Sequence, residues 1–286
     1  MRISVSICNC GSFRQGNVTT NKMKMIQFLK ITMGIVLFCL CFSQTISAQD
    51  YPGEKTEYHT FDRYDFMHKG RPAIIVAPKQ AADGKPWIWR ARFFTHEPQV
   101  DIALLHKGFH LVYIDVVDLF GSPKAVQIWD DFYAYLTEKH GFAKKTVLEG
   151  LSRGGLIIYN WAIQNPHNVF CLYGDAPVCD LRSWPGVERK EMMAAYGFTR
   201  EQFWAYKGNP VDNLAPLAAA KVPILHVIGD ADEVVPVAEN TAVVEARYKA
   251  LGGHITVIHK PGVGHHPHSL EDPAPIVEFI LQHVKF

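Results

Sequence analysis

The chain has 286 residues, of which 48% are hydrophobic and 20% charged, with a formal net charge of +1. That is the composition of a soluble globular chain long enough to bury a sizeable core. Lys and Arg form no long block, so the charge pattern gives no support for nucleic acid or an anionic surface as partner.

Residues 1–22 carry no pattern and are expected to precede the true start at Met23. From there "MKMIQFLKITMGIVLFCLCFSQTISAQD" reads as a secretory signal peptide, residues 23–48. Lys24 and Lys30 form its basic start, Ile31 to Phe42 its apolar stretch, and the small residues of "TISA" predict cleavage after Ala48. The apolar stretch is short of the roughly 20 residues that span a bilayer. Export to the periplasm or the exterior follows as an expectation, with no stable membrane association after cleavage. Residues 49–286 then make one domain that keeps only Cys171 and Cys179. A bridge between them stays open, but Cys171 lies in an apolar run and favours a plain buried thiol.

In chain order, "YHTFDRYDF" and "PAIIVAP" alternate in polarity and predict an antiparallel hairpin around "MHKGR". "PWIWRARFF", Pro86 to Phe94, is aromatic-rich and predicts a strand. "QVDIALLHKG" predicts a short helix stopped by Gly108, and "FHLVYIDV" an apolar strand. A helix follows with Ser122 as N-cap, Pro123 at its first position and Gly141 beyond its end. Next come the strand "KTVLEG", the helix "GGLIIYNWAIQNP" and the strand "NVFCLYGDAPV". "VPILHVIGD" and "HITVIHKPG" are the last strands, alternating with helices in "PVAENTAVVEARYKALGG" and "DPAPIVEFILQHVKF".

Strands alternating with helices, and apolar throughout, predict an α/β fold. Its sheet is doubly wound and mostly parallel, covered on both faces, with its crevice at the carboxyl ends of the strands. Only residues 178–220 break the rhythm. Long and rich in Trp, Arg, Pro and Gly, they predict a cap-like insertion between strands.

Three chemical groups fall at such strand ends: Ser152 after "TVLEG", Asp230 and Asp232 after "VPILHVIG", and His265 after "TVIHKPGVG". A serine hydroxyl attacks a carbonyl only when an adjacent imidazole takes its proton. The imidazole in turn needs a carboxylate to fix its tautomer. Gly150-Leu151-Ser152-Arg153-Gly154 resembles the G-x-S-x-G nucleophile elbow of the α/β-hydrolase superfamily. "GDADEVVP" is similar to that superfamily's acid loop and "PGVGHH" to its histidine loop.

The resemblance implies Ser152, Asp232 and His265 as catalytic triad. It leaves Asp230, Asp175 or Asp180 as alternative acids, and His266 and His268 as neighbours that could bind substrate. The Arg153 N–H is the expected oxyanion donor at the start of the helix, with Ala91 as the second. At the latter place many esterases carry His-Gly-Gly, whereas this chain has Arg90-Ala91-Arg92. Arg90, Trp184 and His266 are the candidate substrate-binding residues. No metal site is expected, because no second ligand group stands at a helical spacing such as H-E-x-x-H, and no cofactor is implied.

The elbow "GLSRGG" is similar to that of glucuronoyl esterases and looks like that of some pectin-ester hydrolases. This implies carbohydrate esters as substrates, with the Arg153 guanidinium near the oxyanion or a uronate; packing of Arg153 on the helix surface is the alternative. Asp180, Arg182, Trp184, Arg189, Lys190, Trp204 and Tyr206 make residues 178–220 unlike the apolar lid of a lipase. Residues 49–286 leave no room for a propeller domain, which weighs against the large oligopeptide-cleaving members of the superfamily. The expectation is a secreted serine esterase, with a peptidase or amidase of the same fold, or a non-catalytic binding scaffold, as alternatives.

Overall fold

The computed structural model describes residues 51–285, so the expected leader and the segment before it lie outside the described residues. Three strands, β1 (Glu54–Tyr58), β2 (Phe61–His68) and β3 (Arg71–Ala77), form an antiparallel meander. Lys69 and Gly70 turn the second hairpin, both at positive φ. The meander joins β5 (His110–Ile114) antiparallel through β3. Every later pairing is parallel, through β4 (Trp87–Arg90), β6 (Thr146–Leu151), β7 (Val169–Asp175), β8 (Ile224–Gly229) and β9 (Ile255–Lys260). The sheet order is β1-β2-β3-β5-β4-β6-β7-β8-β9, the mostly parallel doubly wound arrangement of the α/β-hydrolase fold.

Eight helices are described: α1 (Gln99–His106), α2 (Pro123–Lys139), α3 (Gly154–Gln164), α4 (Lys190–Tyr196), α5 (Arg200–Ala205), α6 (Ala215–Ala219), α7 (Thr241–Ala250) and α8 (Ala274–His283). The two-residue period of the strands sorts side chains to the two faces. Trp87 and Trp89 of β4 pack with Trp129 of α2 and Trp161 of α3, and Trp89 stacks on Trp129 at 3.8 Å between centroids. Ile88 between them points the other way, into a core with Leu104 of α1 and Ile276 and Ile280 of α8. All four tryptophans are fully buried, and truncating one to Ala costs about 3–5 kcal/mol.

Three local expectations change. β1 was not foreseen, because "EKTEY" is exposed at four of its five positions and carries no apolar alternation. It exists through its backbone ladder to β2 at the sheet edge. β4 stops at Arg90 rather than running to Phe94, for a reason that lies in the site. Ser122 is the N-cap of α2 by position, yet its hydroxyl bonds nothing among the described residues. Residues 178–220 carry α4, α5 and α6, and Val178, Leu181, Met192 and Phe203 gather with Phe120, Leu156 and Val235 in a separate small core. Cys171 and Cys179 are free and buried. Among the described residues no helix is long and apolar enough to cross a membrane.

Candidate active site

Ser152 sits on the turn between β6 and α3 at φ 52°, a left-handed conformation that costs a side-chain-bearing residue free energy unless its surroundings impose it. They do. Its N–H donates to Asp175 O at 2.8 Å, and its carbonyl accepts from Gly155 N and Val178 N, both at 2.9 Å. The turn closes only with small neighbours: a Cβ on Gly150 would lie 2.7 Å from Ile158 Cδ1, and one on Gly155 would lie 2.6 Å from Val178 O.

The three expected strand ends meet. Ser152 Oγ lies 2.9 Å from His265 Nε2, and His265 Nδ1 lies 2.7 Å from Asp232 Oδ2. The other carboxylate oxygen of Asp232 accepts from Val234 N and Val235 N at 2.9 and 2.8 Å. A carboxylate fixed by three donors holds the Nδ1–H tautomer of His265, which leaves Nε2 to accept the serine proton. The alternative acids are engaged elsewhere: Asp230 with the exposed His259 at 2.7 Å, Asp180 with Arg182, and Asp175 with His268 at 2.7 Å.

Of the two expected oxyanion donors, the Arg153 N–H has no acceptor among the described residues, as the start of a helix requires. Ala91 is a correction: its N–H donates to Glu149 O at 2.9 Å and continues the sheet, so it cannot turn toward a substrate. One residue on, the Arg92 N–H is uncommitted and lies 3.8 Å from where a Cβ on Gly154 would stand.

Arg90 is the second correction. Expected at the substrate, it is fully buried between Asp101 of α1 and Glu149 of β6. Its remaining donors reach the carbonyls of Arg92, Phe93 and His96. A buried cation needs every donor satisfied, and Arg90 achieves this by gathering the chain that follows it, which is why β4 ends there. Burial, then the nearby Asp101 carboxylate, pushes the Glu149 carboxyl well above its usual range. The consequence for the site is a fixed loop at residues 91–96.

That loop forms one wall of a cavity of about 340 Å³ above Ser152 and His265, lined by Phe93, Phe94, His96, His266 and His268. His266 thus lies where substrate contact was expected. Burial, followed by the charges of His268, His265 and His96, lowers its pKa. Trp184 lies beside Arg153, whose guanidinium is 5.8 Å from its ring and 5.7 Å from that of Phe93. The Arg92 guanidinium lies 4.7 Å from the same Phe93 ring. Among the described residues neither Arg92 nor Arg153 pairs with a carboxylate. Burial, then Arg92 and Arg189, holds the Arg153 guanidinium below its usual pKa. Sequence reasoning passed over Arg92 and Phe93 because "PWIWRARFF" has the composition of a strand throughout, and His96, two residues beyond it, stands in no local pattern.

Several solved structures share the fold. Pyrococcus horikoshii acylaminoacyl peptidase aligns with a TM-score of 0.58 at 14% identity, over 82% of this chain and 44% of that one. Porphyromonas gingivalis dipeptidyl peptidase 4 aligns with a TM-score of 0.61 at 14% identity, over 80% of this chain and 36% of that one. The chain therefore spans less than half the length of either peptidase. A cold-adapted esterase from an Arctic intertidal metagenomic library aligns with a TM-score of 0.57 at 16% identity, over 82% of this chain and 100% of that one. No curated protein matches the chain by sequence. Residues 129–286 match the Prolyl oligopeptidase family (Peptidase_S9), a span that holds Ser152, Asp232 and His265. That span is more than half of the chain, which therefore belongs to the Prolyl oligopeptidase family and has the α/β-hydrolase fold.

Proposed function

We propose that the protein hydrolyses carboxylic esters of acidic carbohydrates outside the cytoplasm, through an acyl-enzyme on Ser152. His265 takes the Ser152 proton as Oγ attacks the ester carbonyl, and Asp232 stabilises the imidazolium that forms. The Arg153 and Arg92 N–H groups stabilise the oxyanion. His265 then gives its proton to the leaving alcohol. Water, deprotonated by the same imidazole, attacks the acyl-enzyme and frees Ser152.

The single observation that carries the substrate class is the pair of guanidinium residues, Arg92 and Arg153, which line one cleft next to the elbow and have no carboxylate partner among the described residues. A carboxylate on the substrate supplies the missing charge, and Phe93 and Trp184 offer ring faces for a sugar. Export is supported by the leader-like residues 23–48. The second reading, cleavage of a peptide or amide bond, is favoured by the family match.

The purified protein should be assayed on p-nitrophenyl acetate, a partly methyl-esterified oligouronide that keeps free carboxylates on neighbouring residues, acetylated xylan and a peptide p-nitroanilide. The expected order of kcat/KM places the uronide ester first. A peptide anilide turned over faster than every ester would replace this reading with the second one.

A further inference from the structure

Behind His265 the histidine loop carries two more imidazoles, and hydrolysis uses neither. Ligand atoms of His265, His266 and His268 lie within 4.8 Å of one another. Their ring centroids are 4.7 to 5.0 Å apart, and His96 adds a fourth ring at 6.1 Å from His266 and 6.0 Å from His268. His268 is the informative member. It is only 3% exposed, its Nδ1 contacts Asp175 Oδ1 at 2.7 Å, and its Nε2 is buried with no partner among the described residues. Asp175 is itself held by Tyr173 OH and Ser269 N at 2.8 and 2.7 Å, so the His268 ring is fixed. A buried ring nitrogen with no partner, on a residue that lines the cavity, is an unfilled demand for a ligand.

We propose that His265, His266 and His268 form a binding site for a borderline divalent cation such as Zn2+, and that the bound ion withdraws His265 from Ser152 and reversibly stops hydrolysis. Two points of chemistry support it. Zinc prefers imidazole nitrogens at about 2.1 Å, and ring shifts on the order of an ångström bring the three donors to a common centre. Two of the three ligands carry a carboxylate on the opposite nitrogen, Asp232 on His265 and Asp175 on His268. That carboxylate–histidine pairing fixes the tautomer, raises the basicity of the coordinating nitrogen and recurs at zinc sites. The fourth coordination position is left to His96 or water. The same Nε2 of His265 cannot accept the Ser152 proton and bind an ion at once, so metal and turnover exclude each other.

The test is calorimetric titration of the full chain with Zn2+ at neutral pH, in the native sequence and in Ser152→Ala, which has the ligands but no nucleophile. Both should bind one ion. His266→Gln and His268→Gln should each weaken binding by about tenfold or more, and Asp175→Asn by about tenfold through the ring it positions. His266 is exposed, so its replacement reports on the metal and not on folding. Zn2+ should inhibit p-nitrophenyl acetate hydrolysis, EDTA should restore it, and His266→Gln should raise the inhibitory concentration by the same factor as it weakens binding. Zinc affinity unchanged in both His266→Gln and His268→Gln, or no binding by the native chain, overturns the site. Binding is read without substrate, so an inactive chain that still binds Zn2+ would sink the esterase reading and leave this one standing.

Discussion

Two histidine–aspartate pairs stand side by side on the rim of the sheet, and they differ in one contact. Asp232–His265 and Asp175–His268 have the same 2.7 Å separation, and their rings are 4.8 Å apart. In both, a buried carboxylate holds Nδ1 and leaves Nε2 on the far side of the ring. Only His265 finds a hydroxyl there, at 2.9 Å. The carboxylate orients an imidazole; the position of the elbow decides which imidazole becomes a base. Asp175 continues β7, whose neighbour β6 delivers Ser152, so the second pair lies within reach of the nucleophile without meeting it.

The sharpest way to break that comparison is to remove the partners one at a time. Ser152→Ala and His265→Ala should each lower kcat for p-nitrophenyl acetate by about 10⁴–10⁶-fold with little change in thermal unfolding. His268→Ala should lose less than the roughly 10²-fold that marks removal of a general base. Equal losses in His265→Ala and His268→Ala would make the two pairs one catalytic unit and end the distinction drawn between them.

A smaller effect separates the imidazole-lined cavity from the neighbouring cleft that Arg92 and Arg153 line. Arg153→Gln removes one charge-assisted contact, worth about 1.5–3 kcal/mol when made to an anion. The expected outcome is a fall in kcat/KM of about 10–100-fold for a methyl uronide whose neighbouring residue keeps its free carboxylate, against little change for p-nitrophenyl acetate. Equal losses on the two substrates would show that the guanidinium serves the oxyanion and not the substrate's charge.

What the sequence carried of this site follows the same division. The triad was legible because each member sits in a short local pattern directly after an apolar strand, and a parallel sheet must bring such ends together. The pairing of His268 with Asp175 has no local signature, because 93 residues separate the partners. Arg90 and Ala91 were misplaced for a related reason. Whether a peptide at a strand end points into the sheet or the cavity depends here on Asp101 and Glu149, which arrive from α1 and β6 and turn Arg90 inward. The doubly wound sheet was plain from its apolar strands, whereas β1 was invisible because backbone pairing, with no apolar pattern of its own, holds it.

The mildest prediction concerns two core histidines that hydrogen-bond no carboxylate among the described residues, and it sharpens the contrast from outside the site. His226 on β8 is fully buried between Tyr159 OH at 2.7 Å and Thr241 Oγ1 at 3.0 Å, and burial lowers its pKa to about 3. His110 on β5 is lowered by burial to about 4. In the unfolded chain both return to about 6.5. Between pH 6.5 and 4 the unfolded state therefore binds more protons, so folding stability falls as pH falls through that window. Each group contributes a loss of roughly 2–3 kcal/mol by pH 4. Urea midpoints measured from pH 7 to pH 4.5 should drop, and His226→Gln, less stable at pH 7, should show a shallower decline. A decline as steep in His226→Gln as in the native chain would mean that this imidazole is already protonated in the fold and contributes nothing to the loss of stability in acid.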